Sequence, residues 1–275
     1  MSEPTPKKRI AIHGAPRSGT TWVEEIFNSS PATICKYQPL FSHALKGRLS
    51  PDSSREEIDD FFAALESTPD EFMDRTLERA GGAFPVFKKG EATHVVYKEV
   101  RYHHVLVNLL ARCPEVRLVA CIRNPLSVIS SWLRAPREFR ADLGWREREE
   151  WRDAPNKNQG LPEEFNGYTR WKECTRIFLA LAERHPGRVR LLEYRRLLER
   201  PEAEVRALFD FSELALTDQT LDFLARSSTE SHPGAYSVFR SGQSDDRWRT
   251  ELSPDIAREV MDDLHGSELE RFADP

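Results

Sequence analysis

Short apolar stretches alternate along the chain with longer stretches in which apolar residues recur at helical spacing. The stretch Val116–Ile122 is almost wholly apolar, which is typical of a parallel strand covered on both faces. Other short runs with strand character are Arg9–His13, Thr33–Lys36, His94–Lys98 and Val189–Tyr194. Strands that alternate with helices favour βαβ units. We therefore predict an α/β fold of three layers, α/β/α, with a mostly parallel central sheet.

The predicted helices follow from apolar residues at every third or fourth position. The longest, Gly167–Arg184, has Trp171 and Phe178 on its apolar face. Ser53 and Glu56 form a capping-box pattern ahead of another amphipathic helix. The remaining predicted helices are at about Thr20–Asn28, Phe72–Ala80, Val105–Arg112, Leu126–Leu133, Glu202–Leu208 and Asp218–Ala225. Ligands of such folds bind outside the carboxyl ends of the strands.

The loop after the first strand has the layout of an anion-binding site. Gly14 and Gly19 allow it to turn sharply, and a helix follows directly. The unpaired N–H groups and the dipole of a helix N-terminus favour a bound anion. A triphosphate-binding P-loop has the same glycine spacing but requires a lysine after the second glycine, where this chain has Thr20. Because Arg17 is the cation of the loop, we predict a phosphate-like ligand without the usual lysine and magnesium arrangement.

Composition argues against several classes of protein. The net charge is −5 over 275 residues, which disfavours a general binder of nucleic acid or of membrane surfaces. Residues Met1–Lys8 contain no apolar signal core, and no apolar run approaches the length of a membrane span. The cysteines are widely separated, lack metal-ligand spacing and are interpreted as reduced thiols: Cys35, Cys113, Cys121 and Cys174. We therefore predict a cytoplasmic protein of one domain, residues 1–275, that holds no metal.

One segment, from about residue 134 to residue 164, differs from the rest of the chain. It is dense in Arg, Glu and Asp and contains Trp145 and Trp151. We interpret it as a solvated, charged insertion, and the alternative is a mobile lid over the binding site.

The loop carries a resemblance to a known family. Residues Pro16–Trp22 read PRSGTTW, which resembles the loop that binds the 5′-phosphosulfate in the sulfotransferase family. The resemblance implies a P-loop NTPase-like fold and a transferase that uses 3′-phosphoadenosine 5′-phosphosulfate (PAPS) as its sulfuryl donor. It also implies that the donor is bound by Arg17, Ser18, Gly19, Thr20, Thr21 and Trp22.

PAPS also carries a 3′-phosphate, which requires a second group of cations. Arg123 directly follows the strand that ends at Ile122, so it lies at the edge where ligands bind. The sequence Arg-Asn-Pro from Arg123, with Ser131 beyond it, resembles the family's 3′-phosphate motif. An arginine offers a bidentate fork to phosphate, and a serine adds a hydroxyl donor.

Two further resemblances complete the predicted donor site. The stretch Phe239–Arg249 resembles the segment that closes over the 3′-phosphate, and the matching residues are Arg240, Ser241 and Gly242. Tyr194 matches the family's strand-end tyrosine, so we expect the adenine against Tyr194 and Trp22. Ser228 or Thr229 would hydrogen-bond the base.

Transfer to a hydroxyl requires stabilisation of charge and a base for the proton. The predicted catalytic cations are Arg17 and Lys98, which ends its strand. Related carbohydrate and tyrosine-protein enzymes have Glu where this chain has Gln38, and Gln cannot accept a proton at neutral pH. The histidine-base branch has Lys-x-His, whereas here Lys98 precedes Glu99. The base is therefore predicted at Glu99, with His43, His103 and His104 as alternatives.

The motifs around Gln38 and Lys98 are closest in style to the carbohydrate-sulfotransferase branch. The predicted acceptor is thus a sugar or small-molecule hydroxyl. Two other functions stay open. A P-loop kinase of small metabolites would bind ATP with magnesium, and Thr20 argues against it. A nucleotide-binding homologue without turnover is favoured by Gln38 and by the unsettled base.

Overall fold

The computed structural model describes residues 6–232, 237–239 and 244–273. Its central sheet has five strands, all parallel, in the order β2-β3-β1-β4-β5. The predicted parallel sheet is thereby confirmed. The strands are β1 (Lys8–Gly14), β2 (Thr33–Tyr37), β3 (His94–Glu99), β4 (Val116–Ile122) and β5 (Val189–Glu193).

Helices cover both faces of the sheet and also form the carboxy-terminal part of the chain. Within the described residues, no helix combines the length and the apolar character that crossing a bilayer requires. The helices are α1 (Thr20–Asn28), α2 (Arg55–Ser67), α3 (Glu71–Asp74), α4 (Thr76–Ala80), α5 (Leu106–Arg112), α6 (Pro125–Leu133), α7 (Glu147–Glu150), α8 (Tyr168–Arg184), α9 (Tyr194–Glu199), α10 (Pro201–Ser212), α11 (Asp218–Thr229), α12 (Trp248–Glu251) and α13 (Pro254–Leu264).

The three layers follow from the alternation of side chains along the strands. In β1, Ile10 and Ile12 pack on one face of the sheet in a cluster that contains Phe27 of α1. Between them, Ala11 points to the opposite face and joins a cluster that contains Trp171 of α8. Two apolar cores therefore separate the sheet from its two helical layers, and the predicted α/β/α arrangement is confirmed.

The capping box of α2 lies one residue later than predicted. Ser54 is the N-cap residue, and its hydroxyl and the Glu57 carboxylate each accept a hydrogen bond from the other residue's backbone N–H. The Ser53 hydroxyl instead accepts a hydrogen bond from the N–H of Ser50, 2.9 Å away, and closes the preceding turn. The prediction of Ser53 and Glu56 was wrong because both serines precede a glutamate at the right spacing.

The helix predicted over residues 72–80 is two short helices. Arg75, between α3 and α4, has a φ of 51°, in the left-handed region that interrupts a helix. Its buried guanidinium lies between the rings of Tyr37 and Phe84, at 3.6 and 4.1 Å from their centres. It also forms an ion pair with the buried Glu24 of α1. These contacts explain why the chain bends here.

The segment 134–164 is charged on its surface but is anchored in the core. Phe139 and Trp151 are buried and belong to the cluster on the α8 face of the sheet. Arg146 and Arg148 remain largely exposed, and each forms an ion pair at the surface. The insertion is therefore only partly solvated, and its movement as a lid stays a prediction.

Candidate active site

A cavity of about 320 Å³ opens at the carboxyl edge of the sheet. Parallel pairing brings the ends of β1, β3 and β4 together there, because His13 is opposite Glu99 and Gly14 is opposite Cys121. The side of the cavity formed by the loops after β1, β4 and β5 is called the loop side: Arg17, Trp22, Arg123, Ser131 and Tyr194. The other side, called the aromatic side, contains Tyr37, Gln38, Phe41, Phe72 and Arg101.

The turn between β1 and α1 depends on glycine at position 19. Gly19 has a φ of 83°, and a Cβ placed on it would lie 2.4 Å from carbons of the Tyr194 ring. The N–H groups of Trp22 and Val23 both bond the Gly19 carbonyl, so α1 begins immediately after the turn. The N–H groups at the start of a helix that have no carbonyl four residues earlier point toward the preceding loop, which is the arrangement that suits an anion.

Hydrogen bonds connect the loops after β1 and β4. The Arg17 Nε donates to the Ser131 Oγ on α6, 3.0 Å away. The Arg123 Nη1 donates to the carbonyl oxygen of Arg17, 2.9 Å away. Three residues that were predicted from two sequence motifs are therefore brought to one side of one cavity.

Arg123 also has a partner that the sequence did not indicate. Its Nε donates to the carboxylate of Asp245, 2.6 Å away, and its guanidinium carbon lies 4.6 Å from the centre of the Tyr194 ring. Asp245 is buried, and burial raises its pKa while the Arg123 charge opposes the increase. Residues 240–243, which include the predicted Arg240, Ser241 and Gly242, lie outside the described residues.

The two aromatic residues predicted to hold adenine are in contact. Trp22 and Tyr194 meet edge to face with ring centres 6.2 Å apart. The Trp22 Nε1 donates to the Ser227 hydroxyl, 3.0 Å away, which fixes the orientation of the indole. Ser228 and Thr229 instead donate to carbonyl oxygens of their own helix, α11. Ser227 is thus the α11 residue that contacts this aromatic pair.

Lys98 has the surroundings of a functional cation. Its side chain is buried, lines the cavity and lies with its Nζ 4.1 Å from the centre of the Tyr37 ring. Among the described residues, this Nζ has no hydrogen-bond or ion-pair partner. Burial lowers the pKa of Lys98 to about 8, although the neighbouring Glu24 opposes that change. An ammonium group without an acceptor at a cavity wall is available to an anionic ligand.

Glu99 lies on the other face of the sheet from Lys98, as strand alternation requires. Its side chain is fully buried, one oxygen accepts a hydrogen bond from the Leu40 N–H 2.8 Å away, and the other has no partner within the described chain. Burial raises the pKa of Glu99 to about 8. The predicted base is therefore not brought to the cavity, and its contact with Leu40 instead fixes the aromatic side.

The alternative histidine bases are not brought to the cavity either. His103 is buried and its Nδ1 lies 3.0 Å from Nδ1 of His13, whose Nε2 is 3.2 Å from the Tyr97 hydroxyl. Burial lowers the pKa of His103 to about 3 and that of His13 well below its ordinary value. His43 is exposed and His104 is half-buried, and neither is among the described residues that line the cavity.

The segment 134–164 supplies polar groups to the mouth of the cavity. Arg137, Glu138 and Lys157 line it, and Glu138 forms an ion pair with Lys157 at 3.4 Å. Of the carboxylates in the described ranges, Glu138 alone lines the cavity. Sequence reasoning missed this residue, since nothing in its neighbours distinguishes it from the other charges of the segment.

The comparison with family models decides the classification. A model of the sulfotransferase family matches residues 9–218, which is more than half of the chain. This chain belongs to the sulfotransferase family. Because the members of this family are transferases, the chain is an enzyme of the transferase class. A search of curated proteins found no match.

Solved sulfotransferase-fold structures resemble this one. Retinol dehydratase in a complex with retinol and PAP is 16% identical, with 97% of this chain and 84% of that chain covered and a TM-score of 0.54. The same enzyme with androsterone and the inactive cofactor PAP gives 0.55. The sulfotransferase domain from the curacin biosynthetic pathway is 16% identical, covers 95% and 98% of the two chains, and gives 0.50. At these identities the likeness shows the fold alone.

Proposed function

We propose that this sulfotransferase transfers the sulfuryl group of PAPS to a hydroxyl group of a small molecule. One observation carries the proposal: two arginines on separate strand-end loops, Arg17 and Arg123, flank the same cavity as a buried lysine, Lys98, that has no described partner. Cations on separate loops around one cavity suit a ligand with two separate phosphates, and the buried ammonium suits the charge of the group that is transferred. The family to which the chain belongs supports the same reaction.

The residues of the loop side would bind the donor. Arg17, Ser18 and the N–H groups at the start of α1, with the hydroxyls of Thr20 and Thr21, would hold the 5′-phosphosulfate. Arg123 and Ser131 would hold the 3′-phosphate, together with Arg240, Ser241 and Gly242. Gly19 would keep the backbone close to the ligand, and Trp22 and Tyr194 would contact the adenine.

The reaction is an in-line displacement at sulfur. The acceptor oxygen forms a bond to sulfur while the bond from sulfur to the 5′-phosphate oxygen breaks, and adenosine 3′,5′-bisphosphate (PAP) leaves. Lys98 and Arg17 would stabilise the charge that develops on the sulfuryl and bridging oxygens. The acceptor hydroxyl loses its proton to a base or to water.

The proposed general base differs from the one predicted from the sequence. Glu99 would have to leave a buried hydrogen bond in order to reach the cavity. Glu138 is better suited to act as the base, because its carboxylate lines the cavity and its side chain is 26% exposed. We therefore assign the role of general base, which accepts the proton of the acceptor hydroxyl, to Glu138. The carbohydrate acceptor remains a prediction from the motifs around Gln38 and Lys98.

Binding of PAP measured by calorimetry tests the donor site. We expect micromolar-range binding without magnesium, and we expect Arg123→Ala to weaken it about tenfold to a hundredfold, because a charge-assisted hydrogen bond is lost. Arg148→Ala, an exposed arginine outside the cavity, is the matched control. Binding of ATP with magnesium but not of PAP would overturn the proposal in favour of a kinase.

A further inference from the structure

The aromatic side of the cavity contains a continuous strip of three rings. Tyr37 and Phe72 have ring centres 5.2 Å apart, and Phe72 and Phe41 have centres 6.0 Å apart. Phe41 and Phe72 are nevertheless 44% and 40% exposed, although they come from different elements and both line the cavity. Large apolar side chains gathered and left open at a cavity wall favour contact with a flat apolar surface.

A cation stands at the end of this strip. The guanidinium carbon of Arg101 lies 4.7 Å from the centre of the Phe41 ring, and the side chain lines the cavity. Within the described ranges, no carboxylate forms an ion pair with Arg101. Glu99, two residues earlier, is buried and bonded to the Leu40 N–H. The stacking on Phe41 orients the guanidinium without neutralising it.

The cations around the cavity differ in whether they have an anionic partner. Lys157 has Glu138 as its partner, and the proposed donor would occupy Arg17, Arg123 and Lys98. Arg101 is then a cation on the aromatic side that forms no ion pair with a described side chain and that the donor would not contact. An anionic group on the second substrate would supply the missing partner, since a guanidinium bonds carboxylate strongly.

The geometry points to an acceptor that combines a planar apolar body with an anionic group. The planar body would contact the strip Tyr37–Phe72–Phe41, and the anionic group would bind Arg101. This inference rests on the proposed function and specifies its second substrate. The hydroxyl that receives the sulfuryl group would then lie toward Lys98, at the boundary between the two sides of the cavity.

Four probes separate the two parts of the inference. They are 4-hydroxyphenylacetate, its uncharged amide 4-hydroxyphenylacetamide, glucuronate and glucose, which vary ring and charge independently. Their dissociation constants are measured by calorimetry with the full chain saturated with PAP, or with the free protein if PAP does not bind. We expect 4-hydroxyphenylacetate to bind best, about tenfold more tightly than its amide.

Substitutions assign the preference to residues. Arg101→Gln should remove the difference between the anion and the amide, whereas Arg101→Lys should retain part of it. Phe72→Ala should weaken both phenols and leave the sugars unchanged. The matched controls are Arg148→Gln and Leu77→Ala, which are exposed and outside the cavity. Retained PAP binding shows that each variant is folded.

The outcomes distinguish this inference from the proposed function. Equal binding of anion and amide, tighter binding of either sugar, or no binding of any probe would overturn the acceptor class. Failure of PAP to bind, or the absence of PAPS-dependent transfer to every acceptor tested, would instead overturn the proposed function. An anion preference that survives Arg101→Gln would overturn the assignment to Arg101.

Discussion

The two sides of the cavity are built in different ways. On the loop side, Arg17, Ser131 and Arg123 are connected by hydrogen bonds, and Arg123 is also bonded to Asp245. On the aromatic side, the exposed rings of Phe41 and Phe72 contact each other and Arg101 stacks on one of them. One side is a preformed network of hydrogen bonds, and the other is an open surface. If the loop side binds the donor, as proposed, we expect donor recognition to be fixed and acceptor recognition to be adjustable.

The largest expected effect lies at the boundary between the two sides. Lys98→Met keeps the length of the side chain but removes its charge. We expect kcat to fall roughly a hundredfold to a thousandfold, because one charged group that stabilises the transition state is lost. PAP affinity should change much less, and Lys88→Met at an exposed site is the control. A variant that keeps wild-type kcat would remove Lys98 from the mechanism.

Lys98 also predicts a dependence of activity on pH. Its pKa is lowered to about 8 by burial, so the required ammonium form is lost as the pH rises through that value, and activity should fall on the alkaline side. A bound anionic donor favours the charged form of Lys98 and therefore moves this decrease in activity to higher pH. In Lys98→Arg, which stays protonated, the alkaline decrease should disappear from the pH profile of kcat. An unchanged decrease in that variant would assign the titration to another group.

The choice of base compares two glutamates. We expect Glu138→Gln to lower kcat about a hundredfold, since a general base contributes on this scale. Glu99→Gln, which preserves the size of a buried side chain, should leave kcat nearly unchanged. Glu147→Gln, in the same charged segment but outside the cavity, is the surface control. The reverse order, with Glu99→Gln the more damaging, would restore Glu99 as the base.

A smaller effect is expected at Asp245, the partner of Arg123. Its carboxylate accepts a hydrogen bond from the Arg123 Nε, so a phosphate that binds this Nε must displace the carboxylate. Asp245→Asn should therefore tighten PAP binding by about tenfold, and Asp246→Asn at the exposed neighbouring site should not. Weaker binding in Asp245→Asn would mean that Asp245 holds Arg123 in its binding position.

The last prediction concerns stability, rather than binding or turnover. The native pKa of Glu99 is raised to about 8, above that of the unfolded chain, so its protonated form stabilises the fold at low pH. That contribution decreases as the pH rises through about 8. Relative to Glu99→Gln, the wild type should lose free energy of unfolding between pH 5.5 and pH 8.5. Urea denaturation at both values measures the difference, and parallel behaviour of the two proteins would contradict the shift.

The sequence was sufficient for the fold and for much of the loop side. Strand alternation in β1 and the apolar run of β4 predicted the layers, because each local pattern has one compatible environment. Arg17, Arg123 and Ser131 came from short local motifs that lie at strand ends. Their meeting in one cavity follows because β1 and β4 are neighbours in the parallel sheet, so that their carboxyl ends lie at the same edge.

The exposed residues of the aromatic side and the proposed base could not be predicted from local motifs. Phe41, Phe72, Arg101 and Glu138 come from segments whose relative positions depend on tertiary packing. The direction of Glu99 was missed for a simpler reason, since its position after Lys98 in the strand reverses its face. Asp245 gave no signal because its partner lies on a loop 122 residues away.

The contacts of Arg75 bear on how acceptor choice can change during evolution or design. Tyr37 supports the buried Arg75 guanidinium, which pairs with Glu24 on the helix that follows the donor loop. Replacing Tyr37 would thus disturb the helix of the donor site together with the acceptor surface. Phe41 and Phe72 are partly in solvent and can be exchanged with little consequence for the core. New acceptors should therefore be acquired through these two phenylalanines, while Tyr37 stays constant.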